Sequence, residues 1–384
     1  MEKRIGIVAP HRYSNYGTLL QAYALSKVIS DSGYDCEYIS YSVAYKHSIF
    51  ERIWNKIKRI CGVAPQSMQK SNGIDDLSFW RSEDFKPLVH ASNQFYHQYI
   101  PHSECVYNPK TIWKANGKYS KFIAGSDQTW SMEHYSDEKG FNFLSFARRW
   151  KRKYAYAPSL GTTHLTEEHK RVLAKYLPSF RAISCRERSN SEELTRMLKR
   201  EVTYVVDPTL LIGKKEWLRL ANKVESLPNK YILAYILGEK ACISEFAEQI
   251  GKEKGIPVYY VLTRPKYLAM PHCLTDMTPQ QWIYAIAHSE CVVTDSFHGS
   301  LFSMNLEKDF YTFYKREHVK NDLNDNDRIM DLLSTYNLAE RIMNDTWKEE
   351  GKFTYSSIDY AQVTPIVQDK VKASQEYLKR ILND

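Results

Sequence analysis

With 384 residues, 43% of them hydrophobic and 26% charged, the chain has the composition of a soluble globular protein of two or three domains. Its 15 Gly and 14 Pro exclude a collagenous or low-complexity chain. The formal charge of +8 is too small for a polybasic nucleic-acid binder but favours anionic ligands.

In chain order, residues 4–9 form a short, mostly apolar run that predicts a parallel strand covered on both faces. A polar loop at 11–17 follows. Residues 18–30 then predict a helix, with Leu20, Ala24, Leu25 and Val28 at helical spacing and Gly33 beyond its end. Residues 36–41 complete a βαβ unit. The stretch 43–118 fits the alternation poorly and is expected to be an insertion of helices and loops. Strands are predicted at 121–125, 154–157, 182–185 and 202–206, and helices at 166–177 and 191–199. Residues 208–228 join the halves.

The alternation restarts with strands at 231–237, 257–262, 291–294 and 310–313 and helices at 243–254, 279–287 and 297–304. Thr364 and Pro365 read as the N-cap and first position of a last helix reaching 382. The expected division is an N-terminal Rossmann-like domain (1–212, with the insertion at 43–118), a linker (213–228) and a C-terminal Rossmann-like domain (229–352). A tail and helix (353–384) are expected to pack back on the N-terminal domain. Ligands of such sheets bind at the carboxyl ends of the strands, here in the cleft between the halves.

Fourteen Lys/Arg against five Asp/Glu lie between 148 and 200, so the positive excess is local and suits one anion-handling region. The seven Cys are scattered, with none at CxxC spacing. No basic leader and no run of eighteen apolar residues occurs, so a cytoplasmic protein with reduced thiols is expected.

The most informative string is Thr294-Asp295-Ser296-Phe297-His298-Gly299-Ser300. A hydrophobic strand ends there, Ser296 caps a helix, and the free first-turn N–H groups form an anion site. Gly299 would let a ligand approach the backbone, and His298 would supply a cation and a proton. The plain alternative is a capped helix with a surface His. Arg186, at the end of an apolar strand, would clamp a carboxylate or phosphate, or else simply pair with Glu187. Cys185 reads as core. Asp127 would orient a sugar hydroxyl or act as a base, and Trp130 would stack on a sugar ring. The alternative there is turn chemistry. Asn15-Tyr16-Gly17-Thr18 lacks the glycines of GxGxxG, which argues against a dinucleotide. The run 322–327 departs from the EF-hand pattern, and no Cys/His cluster has zinc spacing, so no metal is expected. Arg148 to Lys153 reads as a solvated basic run.

Taken together, the strings GIVAPHRYSNYGTLLQAYALSKVISDSGY, FIAGSDQTW, YAYAPSLG, ISCRERS, VVDPTLL and VVTDSFHGSLFSMN resemble the polysaccharide pyruvyl transferase family in order and spacing from residue 4 to about 336. The resemblance implies an α/β, GT-B-like fold of two Rossmann-like domains facing a cleft. It implies phosphoenolpyruvate as donor substrate with no other cofactor, and a sugar diol of a surface polysaccharide or its polyprenyl-linked precursor as acceptor. The product would be a cyclic pyruvate ketal, with phosphate released. The family's Arg falls on Arg186 and its His on His298, with Phe297 before it. Ser296 stands where members sometimes carry Arg, so that cation falls to Arg328 or Arg264. The expected roles are His298 as acid and Asp127 as base. Arg186, Ser296, Phe297, Gly299 and Arg328 would hold the donor, and Asn15, Tyr16 and Trp130 the acceptor. Two other classes share these features: a glycosyltransferase using a sugar nucleotide, and a non-catalytic glycan-binding protein.

Residues 48–61 place Ile49, Phe50, Ile53, Trp54, Ile57 and Ile60 on one helical face and Arg52, Lys56, Lys58 and Arg59 off it. Such a helix either packs on the core or lies on the inner face of a membrane, at the lipid-linked acceptor. No nucleic-acid partner is expected.

Overall fold

In a computed structural model the described residues are 4–11, 15–42, 77–131, 140–149, 151–314, 326–349 and 353–384. The amphipathic segment 48–61, and most of the acidic run 322–327, lie outside them.

The first half alternates as its apolar runs require. The order is β1 (Ile5–Val8), α1 (Tyr16–Asp31), β2 (Cys36–Tyr38), α2 (Lys86–Tyr99), β3 (Lys121–Ala124), β4 (Arg152–Ala155), α3 (Glu167–Tyr176), β5 (Ser184–Cys185), α4 (Arg188–Leu198) and β6 (Thr203–Tyr204). A 3-10 turn, Pro208–Leu211, and α5 (Lys214–Leu220) lead to the second half. That half consists of β7 (Ile232–Tyr235), α6 (Ala241–Lys254), β8 (Val258–Val261), β9 (Cys273–Leu274), α7 (Pro279–His288), β10 (Cys291–Thr294), α8 (Phe297–Asn305), β11 (Asp309–Phe313), α9 (Asn326–Thr335) and β12 (Ile342–Met343). A last helix, α10 (Tyr360–Asn383), closes the described chain.

Both sheets are parallel. The first has the order β2-β1-β3-β4, and β5-β6 joins it through a parallel bridge from Tyr154 to Ala182. The second runs β12-β11-β10-β7-β8-β9, the doubly wound order in which the strand sequence reverses between β7 and β10. In the first sheet the reversal falls between β1 and β3, paired Ile5 to Lys121 through Val8 to Ala124. A doubly wound sheet opens its binding crevice at the carboxyl ends of the strands beside this reversal. The two reversals meet: Gly17, in the first turn of α1, lies against the ring of His298, in the first turn of α8.

Helix α1 is buried on most of its surface, as expected of a helix enclosed between layers. It starts where the Asn15 side chain accepts from the Thr18 N–H at 3.2 Å. Tyr16 then crosses to the second domain. Its ring stacks on Trp282 at 5.4 Å and its hydroxyl donates to the Met277 carbonyl at 3.0 Å. One apolar cluster runs through both halves by way of α1, Trp217, Trp282 and Phe302. Helix α10 begins on the second domain, with the Tyr360 hydroxyl donating to the Lys308 carbonyl. It ends on the first, where Tyr377, Leu378, Ile381 and Leu382 are buried.

Three sequence expectations need correction. The last helix starts at Tyr360, capped by Asp359, which accepts from the Ala361 N–H at 3.0 Å. Thr364 and Pro365 therefore lie inside it, where proline removes only one N–H near the helix start. The basic run does not end as a loop, because Arg152 and Lys153 open β4. The positive excess does not line the cleft either. Arg181 pairs with Asp384, Arg188 with Glu192 and Arg196 with Glu193. Among the described residues, Arg186 is the member of that excess found in the cleft cluster.

Candidate active site

Arg186 directly follows β5, and its side chain is 1% exposed. Its Nη1 donates to Asp207 Oδ2 at 2.8 Å, and its Nε lies 3.5 Å from Glu187 Oε1. The guanidinium sits 4.1 Å from the centroid of the Phe297 ring, a cation–π contact. Arg328, on α9, approaches the same ring at 5.9 Å.

Asp207 follows β6, and its two oxygens do different work. Oδ1 caps the 3-10 turn, accepting from the Thr209 N–H at 3.0 Å and hydroxyl at 2.7 Å. Oδ2 takes Arg186, the Ser126 hydroxyl at 3.3 Å, and His298 Nε2 at 3.5 Å. Burial would push this carboxyl up, but His298 and Arg186 outweigh it and hold it below the usual carboxylate range. Asp207 thus joins Arg186 and His298, which lie on separate motifs. In the sequence, Asp207-Pro208 reads as a strand terminator, and only its place in the VVDPTLL string marked it.

Asp127 stands at the first-sheet reversal in left-handed backbone, φ 66°. Asp tolerates this better than most residues, and such conformations concentrate at functional sites. The turn is held by its carbonyl, which accepts from the Thr129 and Ser159 N–H groups, both at 2.7 Å. Its carboxylate accepts from the Thr18 hydroxyl at 2.7 Å and lies 3.9 Å from Arg186 Nη1. Burial pushes this carboxyl up, but His298, Arg186 and Thr18 together bring it below its ordinary value.

One buried donor in this cluster, Arg186 Nη2, lacks a hydrogen-bond acceptor among the described residues, and His298 Nε2 has Asp207 Oδ2 no nearer than 3.5 Å. An unmatched buried N–H costs about 1–3 kcal/mol, and an anionic oxygen in the cleft would satisfy the one on Arg186.

The structure thus brings Arg186, Asp127, His298, Phe297 and Arg328 together. It removes other expected residues from ligand contact. Ser296 does cap α8, but its hydroxyl is spent on the Gly299 N–H at 3.2 Å. A side chain at Gly299 would meet Thr294 and Tyr235, so this glycine makes room for strand packing and not for a ligand. Tyr16 is buried against Trp282. Trp130 is buried, stacked on Phe143 at 5.7 Å, and its indole N–H donates to the Asn142 carbonyl. Both are core aromatics, not acceptor platforms. Asn15 keeps its side-chain oxygen for the α1 cap. Arg264 donates to the Leu237 carbonyl at 2.9 Å, at the carboxyl end of the second sheet. Cys185 is buried, which pushes its thiol well up and makes it a poor nucleophile.

Two Rossmann-like domains whose reversal points face one cleft define a GT-B-like protein. Solved structures share that architecture. The UDP-GlcNAc 2-epimerase of Methanocaldococcus jannaschii superposes with a TM-score of 0.55 at 9% identity, over 100% of this chain and 99% of that one. The enzyme from that organism in complex with UDP-GlcNAc and UDP gives 0.51 at 10% identity, with 100% and 99% covered. No curated protein matches the chain in sequence. The sequence profile described as polysaccharide pyruvyl transferase matches residues 15–314. The chain belongs to that family. Among the described residues no helix is long and apolar enough to cross a membrane.

Proposed function

We propose that the protein moves pyruvate from phosphoenolpyruvate onto two hydroxyls of a sugar, in a surface glycan or its polyprenyl-linked precursor. The observation that carries this reading is the buried Arg186 guanidinium, with Nη2 unmatched among the described residues, gathered with Asp127 and with Asp207-linked His298 in a family of pyruvyl transferases. Phosphoenolpyruvate offers a phosphate and a carboxylate to such donors. His298, as imidazolium, protonates the methylene carbon, leaving an oxocarbenium-like centre at C2. A sugar hydroxyl adds there and gives its proton to Asp127. The C2–O bond to phosphate then breaks, a second hydroxyl closes the ketal, and its proton leaves with the phosphate. Asp207 holds Arg186 and His298 in register throughout.

One feature weighs against a sugar nucleotide. In a doubly wound sheet the first βα turn offers its N–H groups to a pyrophosphate. Here the turn after β7 gives the Leu237 and Gly238 N–H groups to the Asp295 carboxylate, at 2.6 and 2.7 Å. A carboxylate already in that cradle repels a phosphate.

The test is phosphate release from phosphoenolpyruvate across a panel of glycan acceptors, with UDP- and GDP-sugars in parallel. Release only in the presence of an acceptor, with an acid-labile carboxylate gained by the product, is expected. Consumption of a sugar nucleotide instead would overturn the reading.

A further inference from the structure

We propose that Asp331 is a positioning residue for the donor pocket. Its carboxylate clasps the first turn of α4 and so sets Arg328 against Phe297 and Arg186. The proposal rests on the cleft being a phosphoenolpyruvate site. Asp331 belongs to α9 of the second domain, whereas α4 belongs to the first. Its Oδ2 accepts from the Arg188 N–H at 2.8 Å and its Oδ1 from the Ser189 N–H at 3.0 Å.

First-turn amides have no acceptor within their own helix. The N-cap residue of α4, Glu187, makes no side-chain capping bond. Its carboxylate is turned inward and accepts from Ser159 at 2.5 Å and Asn190 at 3.4 Å. The cap is therefore supplied across the domain interface, by a negative group placed where the helix dipole favours it.

This clasp is coupled to the cleft from both sides. On α9, Arg328 precedes Asp331 by three residues and so shares its face. On the first domain, the clasped amide of Arg188 is two residues from the guanidinium-bearing Arg186. Arg186, Tyr204, Phe297, Arg328, Asp331 and Tyr336 line one pocket. Two further polar contacts of α9 and the residue after it with the first domain are longer: His164 Nε2 to Asp327 Oδ2 at 3.4 Å, and the Tyr204 and Tyr336 hydroxyls at 3.4 Å. Releasing Asp331 would let α9 shift and carry Arg328 away from the Phe297 ring.

The full chain is titrated calorimetrically with phosphoenolpyruvate as wild type, Arg328→Ala, Asp331→Ala and the double variant. Asp331→Ala is expected to weaken binding roughly tenfold, at the low end of coupling between sites. Asp331→Asn, which keeps one acceptor oxygen, should recover part of the loss. The double variant should bind no worse than Arg328→Ala, because Asp331 acts through Arg328. Unchanged affinity in Asp331→Ala, or additive losses, would overturn the proposal. Hydrogen exchange of the unliganded chain judges the clasp by itself. Faster exchange at Arg188, Ser189 and residues 326–335 in Asp331→Ala is expected, and unchanged exchange there overturns it whatever the ligand. A wild type that takes up no phosphoenolpyruvate, together with faster exchange in the variant, supports the clasp and refutes the donor reading.

Discussion

At Asp207, burial and charge pull in opposite directions, and charge wins. The same holds at Asp127. Both carboxyls are held below their unfolded values, so the stability they contribute is complete above about pH 4 and is lost as pH falls further. An acid titration followed by circular dichroism should show that loss in the wild type and a flatter acid limb in Asp207→Asn. At neutral pH the same variant should lose about 3 kcal/mol or more, because it strips a buried guanidinium of its closest partner. An unchanged acid limb would place the acid sensitivity elsewhere. His298→Ala should lower kcat by roughly 10²–10⁴ in a folded protein. Arg186→Lys, which replaces a planar clamp by a point charge, should raise KM for phosphoenolpyruvate and leave that for the acceptor nearly unchanged. Equal loss for both substrates would argue against a donor role. Arg186 and His298 are legible because each is a charged or titratable residue within a few positions of the end of an apolar strand. Tyr16 and Trp130 also follow apolar strands yet pack in the core, since an aromatic there has the same sequence signature whether it faces a ligand or the core.

Among the elements, α1 and α8 meet in the cleft at Gly17 and His298. A Cβ at Gly17 would fall within the van der Waals envelope of the His298 ring. Gly17→Ala gains up to about 1 kcal/mol of helix propensity but must push that ring aside. The expected result is a melting temperature close to wild type with kcat lowered at least about tenfold, since misplacing a catalytic group by about an ångström is costly. Normal turnover in this variant would mean that His298 tolerates displacement. Strands such as β1 and β10 were plain from their unbroken apolar runs, and α8 from the serine that caps it. β9 and β12, at two residues each, are too short to carry a period and, unlike the equally short β5 and β6, do not sit in longer strand-like runs. The start of α10 is hidden in the sequence, because Asp359 caps it ahead of a Thr-Pro pair that imitates a helix start.

Over the whole molecule, α10 ties the two domains together. It leaves the second domain at Tyr360 and reaches the first at Ser374, whose hydroxyl accepts from the Val206 N–H at 2.9 Å, and at Tyr377, whose hydroxyl donates to the Ala155 carbonyl at 2.8 Å. At its far end the buried Lys121 ammonium donates to the carbonyls of Ile381 and Leu382 at 3.0 and 2.7 Å, a cation where the helix dipole favours one. Val363, Tyr377, Leu378, Ile381 and Leu382 are buried along its length. At about 1.5–3 kcal/mol for each buried apolar side chain, this is on the order of 10 kcal/mol, comparable to the entire stability of an ordinary protein at about 5–15 kcal/mol. Removing residues 360–384 should therefore yield insoluble protein, or protein without a cooperative melt, and not a weakened enzyme. Lys121→Met is the graded version. It leaves the apolar contacts in place and unpairs two helix-end carbonyls, at about 1–3 kcal/mol, so the melting temperature should drop by a few degrees while turnover at low temperature persists. A truncated chain that melts cooperatively near the full-length temperature would show that α10 merely decorates a fold that holds without it.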